Sequence, residues 1–336
     1  MPGFHLTTLG LAAVLAGATG GLAAEISTRR IATWVAGPTM LEHAALLAAS
    51  LRAFAGPSPD LPLWVYVDPA WADPDTLPVP PDCRLCAAPG APAAADGLPY
   101  AGKAAAAARA EEEAATADVG TLAWLDDDTV VLAPPPFALP EGAWLGWRPV
   151  MHANIAPLAG EDPGPFWERL WCLLEAPAER RFPCVTVADG DTVSSYLNAG
   201  CLVVRPRAGL LGAWAADVTR AAADSTLRAA TDPDPRRRLF LHQAVLGATV
   251  SRLTTSAERQ LLPDSVNWPL LFKEQFGGGR DFHDLSGVAT LRHEGLLLRP
   301  REDWLERLAG PPEVVDWLRG AAARAWRLEP GAPVSP

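Results

Sequence analysis

Three consecutive acids, Asp126-Asp127-Asp128, follow the apolar run Leu122-Ala123-Trp124-Leu125. On an extended backbone residues two apart point to the same side, so Asp126 and Asp128 share a face and Asp127 takes the other. Carboxylates held that close repel one another. A divalent cation relieves the repulsion and bridges to diphosphate oxygens, meeting charge as it develops on a departing phosphate. The alternative use of such a triplet is an acidic turn whose side chains bond to the backbone. Its position directly after an apolar strand supports the site, because open α/β sheets bind ligands outside the carboxyl ends of their strands.

Other residues could share that chemistry. Asn198-Ala199-Gly200 opens the apolar run Cys201 to Val204, where the glycine allows close approach of another group. Arg148, His152 and Asn154 alternate along one extended stretch and can line an acceptor or diphosphate pocket. Trp167 and Trp171 nearby have helical i, i+4 spacing and are expected in the core. Cys83 and Cys86 have C-x-x-C spacing, but no second pair or nearby His completes a zinc set.

The elements that would position these groups read as α/β. Ile31 to Ala36 and Leu63 to Val67 are short apolar strands around a helix from Met40 to Phe54, the βαβ pattern of a parallel sheet. A short strand is expected over Cys83 to Cys86. Lys103 to Ala117, nearly all Ala, Glu and Arg, is a helix leading into the acid strand. The acids are followed by an extended Thr129 to Leu132. Strands are expected at Trp144 to Arg148 and Asn198 to Val204. Helices are expected at Phe166 to Leu174, Leu210 to Ala223, Leu239 to Ala248 and Val314 to Trp326. Arg236-Arg237-Arg238 follows the turn-like Asp232-Pro233-Asp234-Pro235 and reads as a solvated helix start, while residues 275–281 read as a flexible loop.

Length and charge bound the class. The chain has 336 residues, nearly half of them apolar, with a net charge of −11, which suits one large α/β domain. Its acidity argues against a nucleic-acid partner. The only lysines are Lys103 and Lys273. Five cysteines, an odd number, do not suggest a disulfide scaffold. Residues 6–24 form an apolar, Gly-interrupted stretch ending in small residues. Without a basic leader they read as a signal-like or dispensable segment, ahead of a weak anchor or a nucleotide loop. The expected organisation is a leader at 1–24, a single domain at 25–328 and a disordered tail at 329–336.

Taken together, Leu125-Asp126-Asp127-Asp128-Thr129-Val130-Val131, Asn198-Ala199-Gly200-Cys201-Leu202-Val203-Val204 and Leu262-Pro263-Asp264-Ser265-Val266-Asn267-Trp268-Pro269-Leu270 resemble three segments of the GT-A nucleotide-diphospho-sugar transferases, especially glycogenin-like and related bacterial members. Order and spacing agree over roughly residues 30–300. The resemblance implies a Rossmann-like GT-A fold with a mixed, mostly parallel sheet and helices on its faces. It also implies a nucleotide-sugar donor, with UDP-sugars favoured, and a Mn²⁺ or Mg²⁺ ion.

Carried over residue by residue, Asp126 and Asp128 are metal ligands. His293, in Arg292-His293-Glu294-Gly295, is the third. Asn198, His242 and Gln243 form the expected catalytic set; Thr33, Lys103, Asp127, His152 and Asn154 form the expected cofactor-binding set. Two departures stand out. His242-Gln243 replaces the family's Asp-Gln, and Glu294 replaces an aromatic residue after the late His. The acceptor is a saccharide, lipid or protein. Donor supply favours the cytoplasm, unless residues 1–24 direct export. The rivals are a metal-dependent nucleotidyltransferase or phosphohydrolase, and a nucleotide-sugar-binding protein of the same fold with weak turnover. No Walker A, G-x-S-x-G or H-E-x-x-H motif supports any other enzyme class.

Overall fold

The first apolar run is strand β1, Arg29–Val35, in a computed structural model that describes residues 29–56, 62–270, 282–298, 304–324 and 327. The expected leader at 1–24, the 275–281 loop and the tail after Glu329 lie outside the described residues. β1 lies parallel to β2 (Leu63–Val67) and to β4 (Thr121–Leu125), and β2 lies parallel to β3 (Cys83–Ala87). Helix α1 (Pro38–Phe54) joins the first two strands and has proline in its first turn, where no backbone donor is lost. Helix α2 (Ala101–Thr116) enters β4, as its Ala- and Glu-rich composition predicts.

The chain continues through β5 (Thr129–Val131), β6 (Leu145–Pro149), α3 (Gly164–Leu173), the hairpin of β7 (Pro183–Val185) and β8 (Thr192–Ser194), and β9 (Leu197–Val204). Helices α4 (Leu210–Ala223), α5 (Ser225–Thr231) and α6 (Pro235–Leu253) follow. Then come β10 (Arg259–Leu261), β11 (Trp268–Pro269), β12 (Thr290–Arg292), α7 (Trp304–Arg307) and α8 (Pro312–Arg324). Helix α6 is longer at both ends than the expected Leu239 to Ala248. Its first turn contains the arginine run, capped by Asp234, whose carboxylate accepts from the backbone N–H of Arg236 and Arg237 at 2.9 and 3.1 Å.

Seven strands form the central sheet in the order β10-β6-β9-β4-β1-β2-β3. Only β9 runs against its neighbours, antiparallel to both β4 and β6. The sheet is therefore mixed and mostly parallel, as expected. A three-stranded sheet, β11-β12-β5, carries the chain past the acid triplet.

Two apolar layers hold the sheet. On one face Leu41, Ala44, Leu47 and Leu51 of α1 pack against Val35, Val65, Val67 and Leu125. On the other, the small residues of α2, with Trp214 of α4 and Ala244 and Val245 of α6, cover Ala32, Tyr66 and Trp124. Burial of this kind supplies about 25 cal/mol per Å² of apolar surface removed from water. A third cluster joins Val130 and Leu291 of the small sheet to Val314 and Leu318 of α8. Trp167 and Trp171 are buried, as their spacing predicts. All five cysteines are free thiols. Among the described residues no helix is long and apolar enough to cross a membrane.

Candidate functional site

The acid triplet occupies the turn between β4 and β5. The Asp126 N–H donates to the Gly200 carbonyl at 2.8 Å, and Thr129 N–H donates back to the Asp126 carbonyl at 3.1 Å. The end of β4 is thereby tied to β9. The Asp126 carboxylate lies directly over Gly200, where a Cβ would come within 1.9 Å of its Oδ2. Only glycine leaves room for it.

Two cations hold that carboxylate. Lys103 Nζ, from the first turn of α2, pairs with Oδ1, and Arg292 Nη1, from the end of β12, pairs with Oδ2 at 3.0 Å. Burial alone would raise the Asp126 pKa, but Lys103 and Arg292 override it and hold the group down to about 2. Asp128 faces the same guanidinium, with Arg292 Nε 3.4 Å away. Asn198 Oδ1 accepts from Gly200 N–H at 2.8 Å and from Arg292 Nη1 at 3.4 Å.

Asp127 turns the other way, as the alternation predicts. It accepts from His43 Nδ1–H of α1 at 2.9 Å. Burial pushes its carboxyl up to about 6, against the His43 hydrogen bond and with the Asp128 charge.

These groups open into a cleft of about 740 Å³ at the carboxyl ends of the parallel strands. Asp126, Asp127, Asp128, Lys103, His152, Asn154, Asn198, His242 and Gln243 all line it. The structure thus brings nine of the expected site residues to one cleft. His152 Nδ1 meets Asp189 at 2.8 Å, which fixes its ring at the rim. His242 lies on α6, with Nδ1–H donating to the Leu239 carbonyl at 3.0 Å. That bond leaves the lone pair on Nε2. Burial, helped by the nearby Lys103 charge, holds the His242 pKa down to about 3, so the ring is neutral.

Two expected residues are not in the cleft. Thr33 is fully buried on the face of β1 opposite Trp34, among the residues packed under α1. Strand alternation sends Trp34, not Thr33, to the ligand side. His293 is also fully buried, with its ring edge-on to His43 at 5.0 Å. Its Nδ1 accepts from Gly295 N–H at 3.1 Å, which leaves the proton on Nε2. Neither nitrogen then offers a lone pair to a cation. Burial and the neighbouring His43 hold its pKa well below the usual histidine value.

Asp126 and Asp128 share the cleft, but His293 is not placed to join them as a third ligand. Arg292 stands between the two carboxylates. No group of three or more His, Cys, Asp or Glu side chains among the described residues is arranged to hold a metal ion.

Among the cleft residues outside the expected set are Trp34, His43, Tyr100 and Arg292. Tyr100 sits at φ 62° just before α2, its ring 4.7 Å from that of His242 and 5.5 Å from Lys103 Nζ. Arg292 and Tyr100 carried weak signals. Arg292 is one residue from the chosen His293, and Tyr100 directly precedes the helix that carries Lys103. His43, inside an apolar helix, had none.

No family model matches this sequence, and no curated protein matches it. Solved structures similar to the chain include the galactosyltransferase LgtC in complex with donor and acceptor sugar analogs, at 13% identity over 89% of this chain and 97% of that one, TM-score 0.47. Mouse xyloside xylosyltransferase 1 in its apo form is similar at 11% identity over 79% of this chain and 97% of that one, TM-score 0.38. The bifunctional WbbM glycosyltransferase, also without ligand, is similar at 11% over 88% and 51%, TM-score 0.40.

Proposed function

We propose that this protein transfers a sugar from a nucleoside-diphosphate donor to an acceptor hydroxyl. The observation that carries the reading is the meeting of Lys103, Arg292, Asp126 and Asp128 in one cleft at the carboxyl ends of β1 and β4. Two fixed cations beside the strand ends suit a diphosphate, and the cleft is of the size that encloses a nucleotide-sized ligand. Trp34 and Tyr100 offer aromatic faces for the base or a sugar ring.

In the reaction the bond from the sugar's anomeric carbon to the β-phosphate oxygen breaks, and a bond to the acceptor oxygen forms. Lys103 and Arg292 stabilise the charge that grows on the departing diphosphate. Asn198 and Gln243 carry neutral amides, so they orient hydroxyls rather than accept the acceptor's proton. His242, held neutral, accepts a hydrogen bond through Nε2. The proton lost by the acceptor leaves on the diphosphate or to water. UDP-sugars are the first donors to test; a saccharide, lipid or protein is the acceptor, entering past His152 and Asn154.

The test is a panel of nucleotide sugars, with release of nucleoside diphosphate followed with and without candidate acceptors. Melting temperature is measured alongside. Turnover that falls at least about a hundredfold in Asp128→Asn is the expected result. Release by no donor, together with an unshifted melting temperature throughout, would sink the reading.

A further inference from the structure

We infer that Arg292 is the resident cation of this cleft, so that the donor diphosphate is held by Arg292 and Lys103 without a divalent metal. This rests on the donor-site reading above. A metal would need carboxylate lone pairs that point into the cleft. Asp126 Oδ1 faces Lys103 Nζ, and Oδ2 faces Arg292 Nη1 at 3.0 Å. Asp128 faces Arg292 Nε at 3.4 Å. A divalent ion bridging these carboxylates requires oxygen contacts of about 2.0–2.6 Å, and here one guanidinium is paired with both of them, through Nη1 to Asp126 and Nε to Asp128. His293, the remaining candidate ligand, has its Nδ1 lone pair on Gly295 N–H and its ring outside the cleft.

The guanidinium also keeps a donor group to give. Its Nη1 and Nε are spent on Asp126, Asn198, Asp128 and Glu294. Its Nη2 has no hydrogen-bond partner among the described residues, and Arg292 lines the cleft. Lys103 keeps two of its three N–H donors beyond the one aimed at Asp126. An always-charged planar fork, fixed on its inner edge by carboxylates and open on its outer edge, is built to receive phosphate oxygens. On this account Asp126 and Asp128 are positioning residues for Arg292 rather than metal ligands.

The experiment measures binding of UDP, GDP, ADP, CDP and dTDP by calorimetry to the full chain, in EDTA and again with Mn²⁺ or Mg²⁺. The expected result is a nucleoside diphosphate that binds with the same affinity in EDTA as with either metal. Arg292→Gln should weaken that binding by about tenfold or more. Arg292→Lys should recover part of the loss, and Arg292→Gln should gain a Mn²⁺ response as its carboxylates are freed. Binding by the unaltered protein that EDTA abolishes and Mn²⁺ restores overturns the inference while leaving the donor site standing. Metal-independent binding that Arg292→Gln leaves untouched also overturns it. Binding of no nucleoside diphosphate under any condition removes the donor site itself, and the inference with it. The metal comparison needs no variant, so a misfolded substitution does not blunt it.

Discussion

Lys103 and Asp126 form a buried ion pair, with side chains only 6% and 11% exposed. Breaking a buried pair typically destabilises a protein by about 3–5 kcal/mol, and here Arg292 remains beside Asp126 and offsets part of that. Lys103→Met should therefore lower the urea midpoint sharply. The double variant Lys103→Met, Asp126→Leu should recover part of that loss, since both members of the pair are gone and Arg292 keeps Asp128 and Glu294, while remaining unable to bind a donor. Equal stability of the two variants would show that the pair is not coupled. At this scale the sequence was legible where chemistry and periodicity coincide. The acid pair after an apolar strand, the lone lysine opening the preceding helix and the Asn-Ala-Gly strand all converge on one cleft. It was misleading at Arg292 and His293, because adjacent residues face opposite ways and the end of a three-residue strand does not reveal which way. Thr33 failed for the same reason beside Trp34.

Elements are placed by close approaches as much as by apolar faces. β4 and β9 must meet so tightly at Asp126 and Gly200 that a methyl group cannot be inserted. Gly200→Ala should displace the Asp126 carboxylate from Lys103 and Arg292, costing about 1–3 kcal/mol from overpacking and abolishing nucleotide binding. Calorimetric binding and a melting curve on the same preparation check both parts. A Gly200→Ala protein that binds a donor normally would refute this placement. The main strands and long helices were readable because their apolar patterns and stop signals are strong; Leu63–Val67 and Leu210–Ala223 fall where expected. The reversal of β9 was not readable. All eight of its residues are buried, and a strand covered on both faces reads as a continuous apolar run in either direction. The β7–β8 hairpin and the short α5 are too brief for periodicity to register.

At the scale of the whole molecule, the buried groups Glu111 and His242 have opposing pH responses. Glu111 of α2 reaches across to α4 and accepts from Gly212 N–H at 2.8 Å, capping a helix whose own preceding residue, Gly209, has no side chain to do so. Burial pushes its carboxyl up to about 7 from an ordinary 4.5, against the N–H groups that favour the charge. Between those values the native chain keeps a proton that the unfolded chain has lost, so stability falls as pH rises. His242 does the reverse. Its folded pKa is about 3 against an ordinary 6.5, chiefly through burial. The unfolded chain there holds a proton that the native chain refuses, so stability rises with pH. From pH 4.5 to 6.5 the two slopes oppose each other and cancel, each worth about 1.4 kcal/mol per pH unit per proton. Relative to the unaltered protein, Glu111→Gln should therefore gain stability as pH rises through this window, by about that slope. His242→Asn should unmask the opposite slope. Urea unfolding at half-unit pH steps measures both, and every other titrating group contributes alike to the three proteins. Profiles that run parallel would mean that neither group changes its protonation on folding in this window.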